Sequence, residues 1–312
     1  MGVIVSLVQI FSDPTDFSMI INRNEKIGYN TQLNNDKNSR RHVSIFAAIQ
    51  MASGSQLSAN LLMAKQLISE AVESGAQMVV LPENFAFIGQ QDKDILNICE
   101  EPGSGPLQDF FAEQAKHHEV WICGGTIPLR SPDSDRVYAS SLIVDAQGNQ
   151  VSRYDKIHLF DVQLLDSDEQ YNESATIYSG KKVVVTETPF GRVGMAVCYD
   201  LRFPELFREL VNQGAEIIFL PAAFTALTGK AHWEVLLRAR AIENLCYIVA
   251  AAQGGYHING RSTYGHSMIV DPWGGVTQLN ASTPGIITSE VKIDFLQSTR
   301  RSFPALEHRR LS

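Results

Sequence analysis

An α/β fold is what this sequence predicts, on three observations. Short apolar runs of strand length alternate with amphipathic helical stretches, glycines close several of those stretches, and the scheme recurs in both halves of the chain from Val43 onward. Residues 43–51 form an apolar run of strand length. Leu57, Leu61, Ala64, Ile68 and Ala71 then recur at steps of four and three, which is one face of a helix, and Gly75 stands where that helix should end. Residues 77–81 read as a second buried strand. A helix near 106–118 follows, then strands at 120–124, 138–145 and 182–187. The second half repeats the scheme: a strand at 192–197, a helix at 204–213 closed by Gly214, a strand at 216–220, a helix at 231–244, and strands at 246–252 and 264–270.

Composition bounds the function. The 312 residues are 44% hydrophobic and 19% charged, an ordinary globular balance far from that of disordered chains. A net charge of −8 disfavours a nucleic-acid partner, whose phosphates need clustered positive charge. The basic residues Arg300, Arg301, Arg309 and Arg310 near the C-terminus read as a solvated tail. Cys99, Cys123, Cys198 and Cys246 are widely spaced and form no CxxC pair, so a zinc site is not expected, and His232, Glu234 and His266 lack the HExxH spacing of another metal site. Reduced cysteines suggest a cytoplasmic protein, and the lack of a long apolar stretch suggests no membrane partner. Residues 1–42 are rich in asparagine and lack periodicity, so they read as a poorly ordered or peripheral extension ahead of a domain at 43–312.

Three segments share a feature: each ends a strand and then presents a reactive group. They are Leu81-Pro82-Glu83-Asn84, Tyr154-Asp155-Lys156-Ile157-His158, and Ala196-Val197-Cys198-Tyr199-Asp200. Strand ends are where α/β proteins gather their sites. A free cysteine is usually a small buried hydrophobe. Cys198, however, lies between a strand and the helix expected from Pro204, where backbone N–H groups, including that of Tyr199, can bind a developing oxyanion. A thiol of ordinary acidity needs a base. One option is histidine, with His158, His232 and His266 as candidates; the other is Glu83, placed after an apolar strand where burial would favour general-base behaviour. Lys156 is either a surface lysine or a fixed positive charge for the thiolate and the anionic intermediate.

Together these segments resemble the signature of the nitrilase superfamily, whose members carry a Glu-Lys-Cys triad. The resemblance implies a four-layer αββα sandwich and a triad of Glu83, Lys156 and Cys198. It also implies a second glutamate, Glu173, orienting Lys156 and Glu83, and pocket residues Arg202, Phe224 and Thr228. The runs from Ala231 to Asn244, from Ala250 to Gln253 and from Tyr264 to Gly274 resemble a branch that hydrolyses deaminated glutathione, a glutathione analogue without its α-amino group. A neighbouring branch acts on 2-oxoglutaramate, and a non-catalytic binding protein of the same fold is the third reading. The implied chemistry is amide hydrolysis through a cysteine thioester, on a small-molecule amide, without a cofactor, in a homodimer or higher homo-oligomer. Lys230 departs from the pattern, standing where close relatives usually carry proline.

Overall fold

The computed structural model describes residues 43–164 and 170–311. The extension expected at 1–42 lies outside the described residues. The first half runs β1 (Val43–Gln50), α1 (Leu57–Glu73), β2 (Met78–Val80), α2 (Pro106–His118), β3 (Trp121–Cys123), β4 (Ile127–Arg130), β5 (Val137–Val144) and β6 (Gln150–Asp155). An antiparallel pair follows, β7 (Asp161–Gln163) with β8 (Gln170–Asn172). The second half runs β9 (Val185–Thr188), β10 (Gly191–Met195), α3 (Pro204–Asn212), β11 (Ile217–Phe219), α4 (Ala226–Asn244) and β12 (Tyr247–Ala250). It ends with β13 (Gly254–Tyr256), β14 (Ser262–Tyr264), β15 (Met268–Val270), β16 (Val276–Gln278), β17 (Gly285–Lys292) and α5 (Ile293–Ser302).

Two mixed sheets result. One has seven strands in the order β17-β1-β2-β3-β5-β4, with β6 on β5; the other has six in the order β16-β15-β12-β11-β10-β9. The pleat of β1 shows how they stack. Ala47 and Ile49 point into one core with Ala64, Ile68 and Ala71 of α1 and Phe111 of α2. Phe46 and Ala48, on the other face, join a second core with Val193, Ile218 and Val249 of the opposite sheet, a core that continues to Trp233 and Leu237 of α4. Helices therefore cover the outer face of each sheet, which is the expected αββα sandwich. Strands buried on both faces carry apolar residues without alternation, as Met78-Val79-Val80 does.

Local signals place the helices. Pro106 opens α2, and the buried Glu100 carboxylate accepts from the amide of Leu107 at 2.5 Å and of Gln108 at 3.3 Å, where the helix dipole favours negative charge. Pro204 opens α3, and Gly214, at φ +94°, follows its end.

Two expectations change. The helix expected at 231–244 begins five residues earlier, at Ala226, capped by Thr225. Gly229 lies inside α4, and the Tyr264 side chain packs where a Cβ would be. The strand expected at 264–270 is split: Tyr264 ends β14, which pairs with β13 in a separate two-stranded sheet, and β15 lies in the six-stranded sheet. Gly265 and His266 both have positive φ (70° and 56°) and break the run. In addition, β17 and α5 carry no strong local signal, yet β17 pairs with all of β1, from Val43↔Lys292 to Gln50↔Gly285.

Phe46 is fully buried between the sheets, with the rings of Phe190 and Phe219 at 5.4 and 6.1 Å. Phe46→Ala should cost about 3–5 kcal/mol, read as a lowered urea midpoint. A loss under about 1 kcal/mol would show that the two sheets do not depend on that contact.

Candidate active site

Three strand ends supply the candidate groups. Glu83 follows β2, where Leu81 still donates to the Cys123 carbonyl at 2.9 Å. The chain then turns through Asn84 at φ +54°, whose amide donates to Thr126 Oγ1 at 2.9 Å. Gly125, at φ +60°, lies so close to the Pro82 carbonyl that a side chain there would collide with it. Lys156 follows β6, its amide on the Ala139 carbonyl and its own carbonyl accepting from Gly180. Cys198 comes after β10 and opens a 3₁₀ turn, Cys198–Arg202. Its φ of +47° is a left-handed conformation that side chains avoid, and its amide donates to the Pro221 carbonyl at 2.9 Å.

The ends converge. Lys156 Nζ donates to Glu83 Oε1 at 2.8 Å and to Glu173 Oε1 and Oε2 at 2.7 and 2.9 Å. Ala223 N donates to Glu83 Oε2 at 2.8 Å, and Phe160 N to Glu173 Oε2 at 2.6 Å. Gln253 Nε2 donates to the Glu83 carbonyl at 3.0 Å and to Ser53 Oγ at 2.8 Å. Burial alone would pull the Lys156 ammonium down, but the Glu173 and Glu83 carboxylates outweigh it and hold it well above the usual lysine range. Burial pushes the Glu173 carboxyl up, helped by the charge of Glu83 and opposed by Lys156. Burial, and then the Glu83 carboxylate, push the Cys198 thiol well above its ordinary value, against the pull of Lys156. The resting group is therefore a neutral thiol facing a carboxylate.

A second network braces the first from below. The fully buried Asp200 accepts from Tyr154 Oη at 2.7 Å and from Val197 N at 2.8 Å through Oδ2. Its Oδ1 accepts from His158 N at 3.1 Å and pairs with His158 Nδ1 at 2.6 Å. One carboxylate thus ties the residues two before and two after Lys156 to the residue before Cys198.

A cavity of about 180 Å³ opens over Glu83, Lys156, Glu173 and Cys198. The histidine in its wall is His257, whose ring nitrogens face Ser53 O and Thr263 Oγ1. His158, His232 and His266 do not line it, so the histidine option for a base loses its geometry. Its walls also omit Arg202, Phe224 and Thr228. Arg202 Nη1 meets His232 Nδ1 at 3.2 Å and lies 5.1 Å over the Phe224 ring. Phe224 tilts onto Trp233, and Thr228 stands behind Thr225, their hydroxyls 2.7 Å apart. Lys230 is exposed on α4. Cys123 and Cys246 are packing residues, their thiols pushed up by burial to about 11 and about 12.

Sequence reasoning gave no part to the Ala223 amide, Gln253, Asp200 or Arg261, the last of which also lines the cavity. Ala223 contributes only a backbone amide, which no side-chain pattern announces. Gln253 and Glu83 are 170 positions apart, so no local spacing links them. The cavity puts a nucleophilic atom, a carboxylate base and a fixed ammonium around one space, an arrangement suited to acyl transfer.

Comparisons with known proteins agree with this chemistry. The family model for carbon-nitrogen hydrolases matches residues 46–301. A deaminated glutathione amidase of Synechocystis sp. is 42% identical over 266 residues, which are 84% of this chain and 97% of that protein. The Yersinia enterocolitica protein of the same name is 45% identical over 265 residues, 85% of this chain and 92% of its own. Among solved structures, the C. elegans NitFhit protein is similar with a TM-score of 0.78 at 37% identity over 86% of this chain, which spans 65% of that protein's length. Saccharomyces cerevisiae Nit3, a member of branch 10 of the nitrilase superfamily, is similar with a TM-score of 0.77 at 29% identity, covering 86% of this chain and 97% of its own.

The raised Cys198 thiol sets a pH expectation. A difference titration of thiolate absorbance, native protein minus Cys198→Ser, should show no Cys198 thiolate at neutral pH and should rise only above pH 9.0, the ordinary thiol value. A Cys198 thiolate already formed at neutral pH would show that the Lys156 ammonium, rather than burial, dominates the sulfur.

Proposed function

The chain belongs to the carbon-nitrogen hydrolase family of the nitrilase superfamily, whose members hydrolyse carbon–nitrogen bonds other than peptide bonds, and on that premise we propose that it is an amidase for deaminated glutathione. Cys198 is the nucleophile, Glu83 the general base and acid, Lys156 with the Tyr199 amide the oxyanion partner, and Glu173 the group that orients Lys156. The observation that carries this reading is the Lys156 ammonium held 2.8 Å from Glu83 and 2.7 Å from Glu173 on the floor of the cavity that Cys198 lines.

In the first half-reaction Glu83 takes the thiol proton as Cys198 Sγ bonds to the amide carbon. Negative charge builds on the carbonyl oxygen, where the Lys156 ammonium and the Tyr199 N–H receive it. The C–N bond then breaks as Glu83 passes its proton to the departing nitrogen, leaving a thioester on Cys198. In the second, Glu83 takes a proton from water, the new hydroxyl bonds to the carbonyl carbon, and the S–C bond breaks with return of the proton to sulfur. Glu83 thus shuttles one proton twice, and because the thiol is pushed up, deprotonation is coupled to attack and no free thiolate accumulates.

A homodimer fits this reading. Val235 and Ile242 of α4 are exposed, as is the pair formed by Trp273 and Phe303, their rings 5.8 Å apart. A cytoplasmic location fits the four free cysteines, and among the described residues no helix is long and apolar enough to cross a membrane.

The test is hydrolysis of deaminated glutathione to cysteinylglycine, with 2-oxoglutaramate as the competing substrate. The native protein should show the higher kcat/KM on deaminated glutathione. Cys198→Ala should lower turnover by at least about 10⁴-fold while leaving the circular dichroism spectrum and Tm unchanged. A folded Cys198→Ala protein with native turnover would remove Cys198 from the mechanism.

A further inference from the structure

The floor of the cavity has no positive charge left over. Among its described lining residues the cations are Lys156 and Arg261, and Lys156 is committed to two carboxylates. Arg261 lies at the other end of the same wall. Its neighbours there, Gln91, Asp92 and Asn172, are exposed, whereas Glu83, Lys156 and Cys198 are buried, so this end is the opening to solvent. The Arg261 guanidinium sits 4.4 Å over the Tyr171 ring and meets Asp92 through two nitrogens at 2.6 and 3.2 Å. From Tyr171 a file of rings runs inward. Phe160 is 4.9 Å from Tyr171, and Tyr199, the residue after Cys198, is 4.9 Å from Phe160.

We propose that Arg261 binds the carboxylate on the leaving half of the substrate and thereby decides which leaving amine the enzyme accepts. The proposal rests on the amidase reading above. The acyl half ends as a thioester on the buried Cys198, so it occupies the floor. The amine half must depart before water attacks, so it lies toward the opening, where Arg261 is. In deaminated glutathione that half is cysteinylglycine, with a terminal carboxylate; in 2-oxoglutaramate it is ammonia, with none. The two substrates share an acyl half and differ only where Arg261 reads. A planar guanidinium stacked on a ring offers a paired-donor face to a carboxylate, and stacking limits the freedom lost on binding. Asp92 is one resting partner, half-exposed and therefore exchangeable, and the substrate carboxylate competes with it for the guanidinium. Arg202 is not in these walls and meets His232 instead.

The test compares two substrates on the full-length protein. With Arg261→Met, kcat/KM on deaminated glutathione should fall about 10- to 100-fold, through KM, the effect of losing a charge-assisted pair. On 2-oxoglutaramate it should stay within about 2-fold, which also shows that the variant is folded. Arg261→Lys, which keeps the charge without the fork, should recover part of the loss. Equal losses on both substrates, or no loss on deaminated glutathione, overturn the assignment. A second readout is independent of turnover: calorimetric binding of deaminated glutathione to Cys198→Ala protein, with and without Arg261→Met. Weakening by about 10- to 100-fold supports Arg261, and unchanged or absent binding to the Arg261 parent overturns it. Should the native protein hydrolyse neither substrate while binding still depends on Arg261, the amidase reading fails, Arg261 remains a carboxylate-binding residue, and its selection of a leaving amine is overturned.

Discussion

The Lys156 ammonium, buried between the carboxylates of Glu83 and Glu173, is the interaction on which the arrangement of the site depends. Removing three charged groups from water is costly, and mutual attraction offsets that cost only when the remaining lone pairs are also satisfied. Here they are. Ala223 N and Phe160 N donate to the outer carboxylate oxygens, and both donors are backbone amides that cannot swing away. The cluster still holds two acids for one base, and burial first, then the charge of Glu83, push the Glu173 carboxyl up against the pull of Lys156. Such a cluster tolerates little displacement, and it holds Glu83 in place beside the Cys198 thiol.

The scaffold meets that demand by spreading it. Glu83 and Lys156 come from one sheet and Cys198 from the other, so the sandwich must close before the site exists. Asp200 joins the two sheets beneath the site, taking bonds from Tyr154 and His158 on one side and Val197 on the other. Gln253 does the same from above, reaching the Glu83 carbonyl from beyond β12. The left-handed turns at Asn84 and Cys198 store local strain next to the proposed base and nucleophile, and these packed neighbours hold them there.

Much of this was legible because the informative signals are local. Runs of buried strand residues, the helix face from Leu57 to Ala71, and proline and glycine at the helix ends of α3 each act within a few residues. Where the reading departed from the structure, a non-local contact had overruled a local signal. The helix expected from Ala231 starts at Ala226, where Gly229 leaves room for the Tyr264 side chain to pack against its first turn. The apolar text through 264–270 looks like one strand until the backbone of Gly265 and His266 turns it out of register. For β17 the partner is the first strand of the domain, more than two hundred residues away, and pairing at that range leaves no trace in periodicity.

By itself, the sequence determined the α/β class, the order of most elements and the three strand-end segments that hold Glu83, Lys156 and Cys198, because strand and helix periodicity and the chemistry of a side chain are written one residue at a time. Only the tertiary structure decided which groups meet. It chose a glutamate over a histidine to face the thiol, supplied the backbone amide of Ala223, left Arg202 outside the cavity walls and put Arg261 in them. Those outcomes depend on distances between segments that two sheets bring together, and a distance across a folded core is a property of packing rather than of any stretch of chain.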